Sequence, residues 1–123
     1  MKFNDRSPIY IQIVDDIKYK ILSGEYLPGE KLLSVRDLSL EYKVNPNTIQ
    51  RVYQELEKDN IITIQRGLGT FVTEDELVIK SMRKDKAELI VKNFIKQVTN
   101  LGLDRNDVID LVEKILKRGD INE

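Results

Sequence analysis

Asn47, Gln50, Arg51, Gln54 and Lys58 recur at three- and four-residue steps along a segment that begins at Pro46. Amides and a guanidinium spaced in this way can pair with purine edges, and lysine or arginine can neutralise phosphates. The intervening residues Ile49, Val52, Tyr53 and Leu56 fall at i, i+3, i+4 and i+7, so the same segment carries an apolar stripe that must be buried. No acid occurs between Glu41 and Glu55, although 33% of the chain is charged. A face that only meets solvent mixes both signs, so an acid-free polar face points to a polyanionic partner. A second group, Arg66-Gly67-Leu68-Gly69, lies between Ile62-Thr63-Ile64 and Thr70-Phe71-Val72. Its two glycines permit positive φ and close backbone approach, so a hairpin with an arginine at its tip follows. From Asn60 to Thr73 the only charge is Arg66.

The elements that must hold these groups have their own punctuation. Ser34 caps a helix, with Asp37 completing a box-like pair, and Asn45-Pro46 places a cap directly before a proline at the first helical position. Two helices therefore start about eleven residues apart, leaving room for a short helix and a turn, with a hairpin behind them. That is the outline of a winged helix-turn-helix. Ahead of it, Ser7-Pro8 opens a helix that Gly24 ends, with Tyr10, Ile13, Val14, Ile17 and Ile21 on one face as core. Tyr26, Leu27, Pro28, Gly29 and Leu32 form a short extended stretch able to pair with the wing as a third strand.

Composition excludes most other chemistry. At 123 residues and 41% hydrophobic, the chain holds one or two small domains and no sizeable ligand cavity. It has no cysteine and no histidine, which removes disulfides, thiolate and imidazole metal sites, and a Ser-His-Asp constellation. Asp15-Asp16 reads as a solvated pair on the outer side of the first helix, and no phosphate-binding or dinucleotide glycine pattern occurs. The reading is therefore of a protein that is not an enzyme and has no cofactor and no metal. No apolar run approaches a membrane span and MKFNDRSP lacks a secretory core, so a cytoplasmic place and no membrane partner are expected. Residues 1–73 carry ten basic and ten acidic side chains, so the positive charge expected of a nucleic-acid binder is local rather than global. Asp15, Asp16, Glu25, Glu55, Glu57 and Asp59 all lie outside the contact windows.

Behind the wing the pattern is helical only. Thr73 with Glu76 reads as a capping box, and Ala87, Ile90, Val91, Phe94, Ile95, Val98 and Leu101 repeat at helical steps up to Gly102. Asp104 and Asp107 cap a further helix carrying Val108, Leu111, Val112 and Ile115, widened by Ile109 and Leu116. Two helices cannot enclose a core, and the simplest partner is the same hairpin from a second copy. Packing back onto the chain's own winged domain is the alternative.

The segments NPNTIQRVYQELE and RGLGTFV resemble the DNA-binding domain of the GntR family of bacterial transcription regulators, and its short YtrA-type branch in particular. The opening PIYIQIVDDIKYKILSGEYLPGEKL is similar to that family's first helix and its PG-containing approach to the second. The resemblance covers Ser7 to about Val72. It implies DNA contacts at Arg36, at Asn45, Asn47, Thr48, Gln50 and Arg51, and at Arg66 with Gly67 in the wing. Leu33 stands where the family usually has proline, and Lys43 stands in the turn where glycine is common. The expected fold is mainly α with a small β-hairpin: a winged helix-turn-helix over 1–73, then a two-helix dimerisation hairpin over 74–123. Its interface falls on Ile90, Val91, Phe94, Ile95, Val98, Leu101, Val108, Leu111, Val112 and Ile115. The expected function is a homodimeric repressor on a pseudo-palindromic DNA operator, and the alternative is a winged helix used for protein contacts only. Asn47, Gln50 and Arg51 would read bases, Arg36, Asn45 and Thr48 would hold phosphates, and Arg66 with Gly67 would reach the minor groove. A small-molecule effector of unknown identity would have to sit between subunits or against the DNA-binding domain.

Overall fold

The computed structural model describes residues 1–119. Its elements run α1 (Ile9–Leu22), β1 (Lys31–Leu32), α2 (Val35–Tyr42), α3 (Pro46–Lys58), β2 (Ile62–Gln65), β3 (Gly69–Val72), α4 (Glu76–Asn100) and α5 (Arg105–Arg118). One compact unit spans Met1–Arg83 and a second begins at Lys84. The last four residues of the tail expected over 74–123 lie outside the described residues. No described helix is long and apolar enough to cross a membrane.

In the first unit α1, α2 and α3 surround one core. Ile13 and Ile17 of α1 meet Leu38 of α2, Ile49, Val52 and Leu56 of α3, and Ile62 and Val72 of the sheet, all essentially without solvent exposure. The apolar stripe foreseen on α3 is buried at every position. Met82 and Val78, in the first turns of α4, pack on the same core.

The helices α1 and α2 start where the sequence reading placed them, while the details of their caps, and the cap of α4, differ from it for local reasons. At the start of α1, Pro8 makes no side-chain cap. The buried amide of Gln12 instead donates to the carbonyls of Asn4 (2.9 Å) and Ser7 (2.8 Å) and accepts from the Asn4 amide at 3.0 Å. Ser34 caps α2 by accepting from the Asp37 amide at 3.1 Å, without the reciprocal half of a box. The helix that follows the wing is capped by Asp75, not by a Thr73–Glu76 box: Asp75 Oδ1 accepts from the Leu77 amide at 2.9 Å. Thr73 Oγ1 accepts from the Asp75 amide at 3.0 Å and so turns the chain into that cap.

The sheet is antiparallel, in the order β1-β3-β2, with Leu32 opposite Thr70 and Gln65 opposite Gly69. The extended stretch expected before Ser34 pairs with the wing as foreseen, although only Lys31 and Leu32 are strand. Residues ahead of them turn at Leu27–Glu30, where the Glu30 amide bonds the Leu27 carbonyl at 3.0 Å and Gly29 has φ +80.

In the second unit, α5 begins with a complete capping box in which Asp104 and Asp107 each accept from the other's amide, at 2.9 and 3.2 Å. From Lys84 onward the apolar positions of α4, of the turn after it and of α5 are mostly open to solvent: Ile90, Val91, Phe94, Ile95, Leu101, Leu111 and Val112 are exposed, and Val98, Val108 and Ile115 are half-buried.

Candidate nucleic-acid interface

Lys43 closes α2 in the left-handed region, at φ 59 and ψ 48, and the amides of Lys43 and Val44 both return to the Ser39 carbonyl. The chain thereby reverses within three residues, and Asn45 opens α3. Asn45 Oδ1 accepts from the Asn47 amide at 2.8 Å, which leaves its side-chain NH2 as a donor. With Pro46 at the first helical position, the start of α3 carries few free amides and several outward side chains.

Burial of Ile49, Val52, Tyr53 and Leu56 fixes the rotation of α3, so the other side must face outward. Asn45, Asn47, Gln50, Arg51, Gln54 and Lys58 are exposed and Thr48 is half-buried. Tyr53 adds a tether by donating to the Leu33 carbonyl at 2.5 Å. Burial, with Tyr26 and Glu41 adding to it, pushes the Tyr53 phenol well above its ordinary range, so it stays a donor. Leu33, where the resembling family usually has proline, thus supplies the acceptor that joins α3 to the segment before α2. Arg36 on α2 is exposed, while Ser39 one turn later is buried and bonds the Arg36 carbonyl at 2.6 Å.

Arg51 is not a free side chain. Its guanidinium carbon lies 3.8 Å from the centroid of the Tyr10 ring, and its Nη2 donates to the Tyr10 hydroxyl at 3.0 Å. Sequence reasoning assigned Tyr10 to the core alone. The structure gives it two surroundings, with one side packed on the core cluster and the ring covered by Arg51. The apolar helical spacing of Tyr10 concealed the second of these.

At the wing, the Leu68 amide bonds the Gln65 carbonyl at 2.9 Å, which places Arg66 and Gly67 at the centre of the turn, with Gly67 at φ +78. Arg66 and Gly67 are exposed. Gly69, at φ +131, lies under the Lys31 side chain: a Cβ there would meet Lys31 Cε at 2.6 Å. Missing that β-carbon, the wing lets a second cation cross from β1, a neighbour that could be found only from the strand register. Among the described residues no group of His, Cys, Asp and Glu could hold a metal ion.

Residues 9–72 match the family described as bacterial regulatory proteins, gntR family. The HTH-type transcriptional regulator YhcF of Bacillus subtilis is 37% identical over 96% of this chain and 98% of its own length. The HTH-type transcriptional repressor YtrA of the same organism is 38% identical over 75% of this chain and 68% of its own. Among solved structures, a GntR family transcriptional regulator from Listeria monocytogenes superposes with a TM-score of 0.81 at 45% identity, covering 91% of this chain and 98% of that one.

Proposed function

This chain belongs to the gntR family of bacterial regulatory proteins, and from that membership we propose that it acts as a homodimeric repressor on a pseudo-palindromic operator. It is a transcription regulator with a helix-turn-helix DNA-binding domain, not an enzyme. The observation that carries the finer reading is the division of α3, whose apolar side is wholly buried while its polar residues from Asn47 to Gln54, a stretch without an acid, are exposed except for the half-buried Thr48.

In this reading α3 enters the major groove. Asn47 and Gln50 offer amides to adenine edges, and Arg51 offers its fork to guanine. Arg36, Asn45 and Thr48 hold phosphates and set the register, while Arg66 and Gly67 reach the adjoining minor groove. Two copies come together through the open apolar faces of α4 and α5, where residues such as Phe94 and Ile95 need a partner to leave water. Repression is the sign favoured by the similarity to a protein named a repressor, YtrA.

Binding of the full-length protein to a fluorescent duplex from upstream of its own gene tests this, measured by anisotropy against unrelated duplex over a range of salt. Preferred binding that weakens with salt is expected. Equal affinity for both duplexes would remove the sequence preference, and none for either would leave a winged helix used for protein contacts.

A further inference from the structure

We propose that Tyr10 is a positioning residue for base readout: it holds the Arg51 guanidinium over its ring and against its hydroxyl, and so sets how sharply the protein discriminates the base pair that Arg51 meets. The inference deepens the proposed function and rests on its reading of Arg51 as a base contact.

Two restraints act on different parts of one side chain. The guanidinium carbon lies over the Tyr10 ring, 3.8 Å from its centroid, and the phenolic oxygen takes one N–H of Nη2 at 3.0 Å. A guanidinium reads guanine with the five N–H donors of its edge, and the bond to Tyr10 uses one of them, so four stay available. Among the described residues the ion pairs formed by side chains are those of Lys20 with Asp16 and Glu25, and Arg51 shares in neither. Its orientation is therefore set by an uncharged partner, which directs the arginine without neutralising it.

Tyr10 is suited to that task because it is itself held. It lies in the first turn of α1, half-buried against the core into which α3 also packs. An exposed arginine has many rotamers to lose when it binds a base, and one already stacked on a rigid ring has fewer. Gln54 and Lys58, further along the same face, make no comparable stack among the described residues. Arg51 is thus the pre-organised member of the polar face.

The test uses full-length protein and a duplex enriched by that protein from a random-sequence pool, together with every single-base-pair variant of the duplex. Arg51→Ala first identifies the position whose preference collapses. Tyr10→Leu, which keeps apolar bulk but removes ring and hydroxyl, is expected to lower the preference at that position by about two- to fivefold, the factor of an exposed cation–π stack. Preferences elsewhere should hold, and the effect should vanish when Tyr10→Leu is added to Arg51→Ala. Tyr10→Phe keeps the stack, and its smaller loss should fall at the same position; it carries the test if Tyr10→Leu does not fold. A loss spread over all positions, or one that persists in the double variant, would make Tyr10 a structural residue only and overturn the inference. If Arg51→Ala leaves every preference intact, the reading of Arg51 falls and the inference with it. If Arg51→Ala acts and neither Tyr10 variant does, this inference alone falls.

Discussion

Tyr42, the last residue of α2, donates its phenolic hydrogen to Asp16 Oδ2 on α1 at 2.7 Å. Lys20 reaches the same carboxylate at 3.4 Å and lies over the Tyr42 and Tyr26 rings, so one cluster ties α1 to the residue before the turn. Asp16 is therefore a structural acceptor rather than one of a solvated pair with Asp15, which is exposed.

This cluster predicts an alkaline limit to stability. Burial, then the hydrogen bond and charge of Asp16, push the Tyr42 phenol far above its ordinary value of 10.0, and burial does the same for Tyr53. The folded state holds these protons more tightly than the unfolded state, so their contribution is complete below about pH 10 and is lost as pH rises beyond it. Urea unfolding should show the decline above that pH. Tyr42→Phe should cost about 1–2 kcal/mol at neutral pH, since its partner is charged, and should flatten the decline. An unchanged alkaline slope in the variant would contradict this account of Tyr42.

The turn carries a backbone cost that glycine would relieve. Lys43 is exposed and left-handed at φ 59, a conformation that disfavours a β-carbon by roughly 1–2 kcal/mol. Lys43→Gly gives part of that back as unfolded-state entropy, so a net gain of about 0.5–1 kcal/mol is expected in the urea midpoint. A loss of stability would mean that the lysine side chain has a structural role.

Much of this fold was legible because its signals are local. Asn45-Pro46 gave the start of α3, the Ile49–Leu56 stripe gave its buried face, and Gly67 with Gly69 gave the wing. The pairings missed all join residues distant in sequence. Tyr10 meets Arg51, Asp16 meets Tyr42, and Lys31 crosses Gly69, and helical or strand periodicity cannot say which side chains meet across two elements. The role of Gln12 is hidden for a different reason: an amide within an apolar run gives no sign of the chain segment that will satisfy it. The Asp75 cap lies two residues beyond the one the sequence suggests, because Thr73 and Asp75 are both competent caps and only the strand ending at Val72 decides between them.

Arg66→Ala separates a binding wing from a structural one. Its backbone turn depends on Gly67, so the melting temperature should not change. Affinity for duplex should fall severalfold, and the salt dependence should become shallower by about one phosphate contact per chain. Unchanged affinity and slope would make the hairpin a cover for the core.

The helices behind the wing should dimerise the protein. Light scattering at micromolar concentration is expected to give twice the chain mass. Phe94→Lys, at an exposed apolar position of α4, should shift it toward the monomer with little loss of helix by circular dichroism. A monomeric wild-type chain would remove the proposed role of these faces.

Enrichment of duplexes from a random-sequence pool by the full-length protein tests the central claim most directly. The account predicts an inverted repeat whose half-sites lie about one helical turn, or a multiple of it, apart, as two copies of α3 related by a twofold axis require. Recovery of no preferred sequence, or of a single site without inverted symmetry, would contradict it.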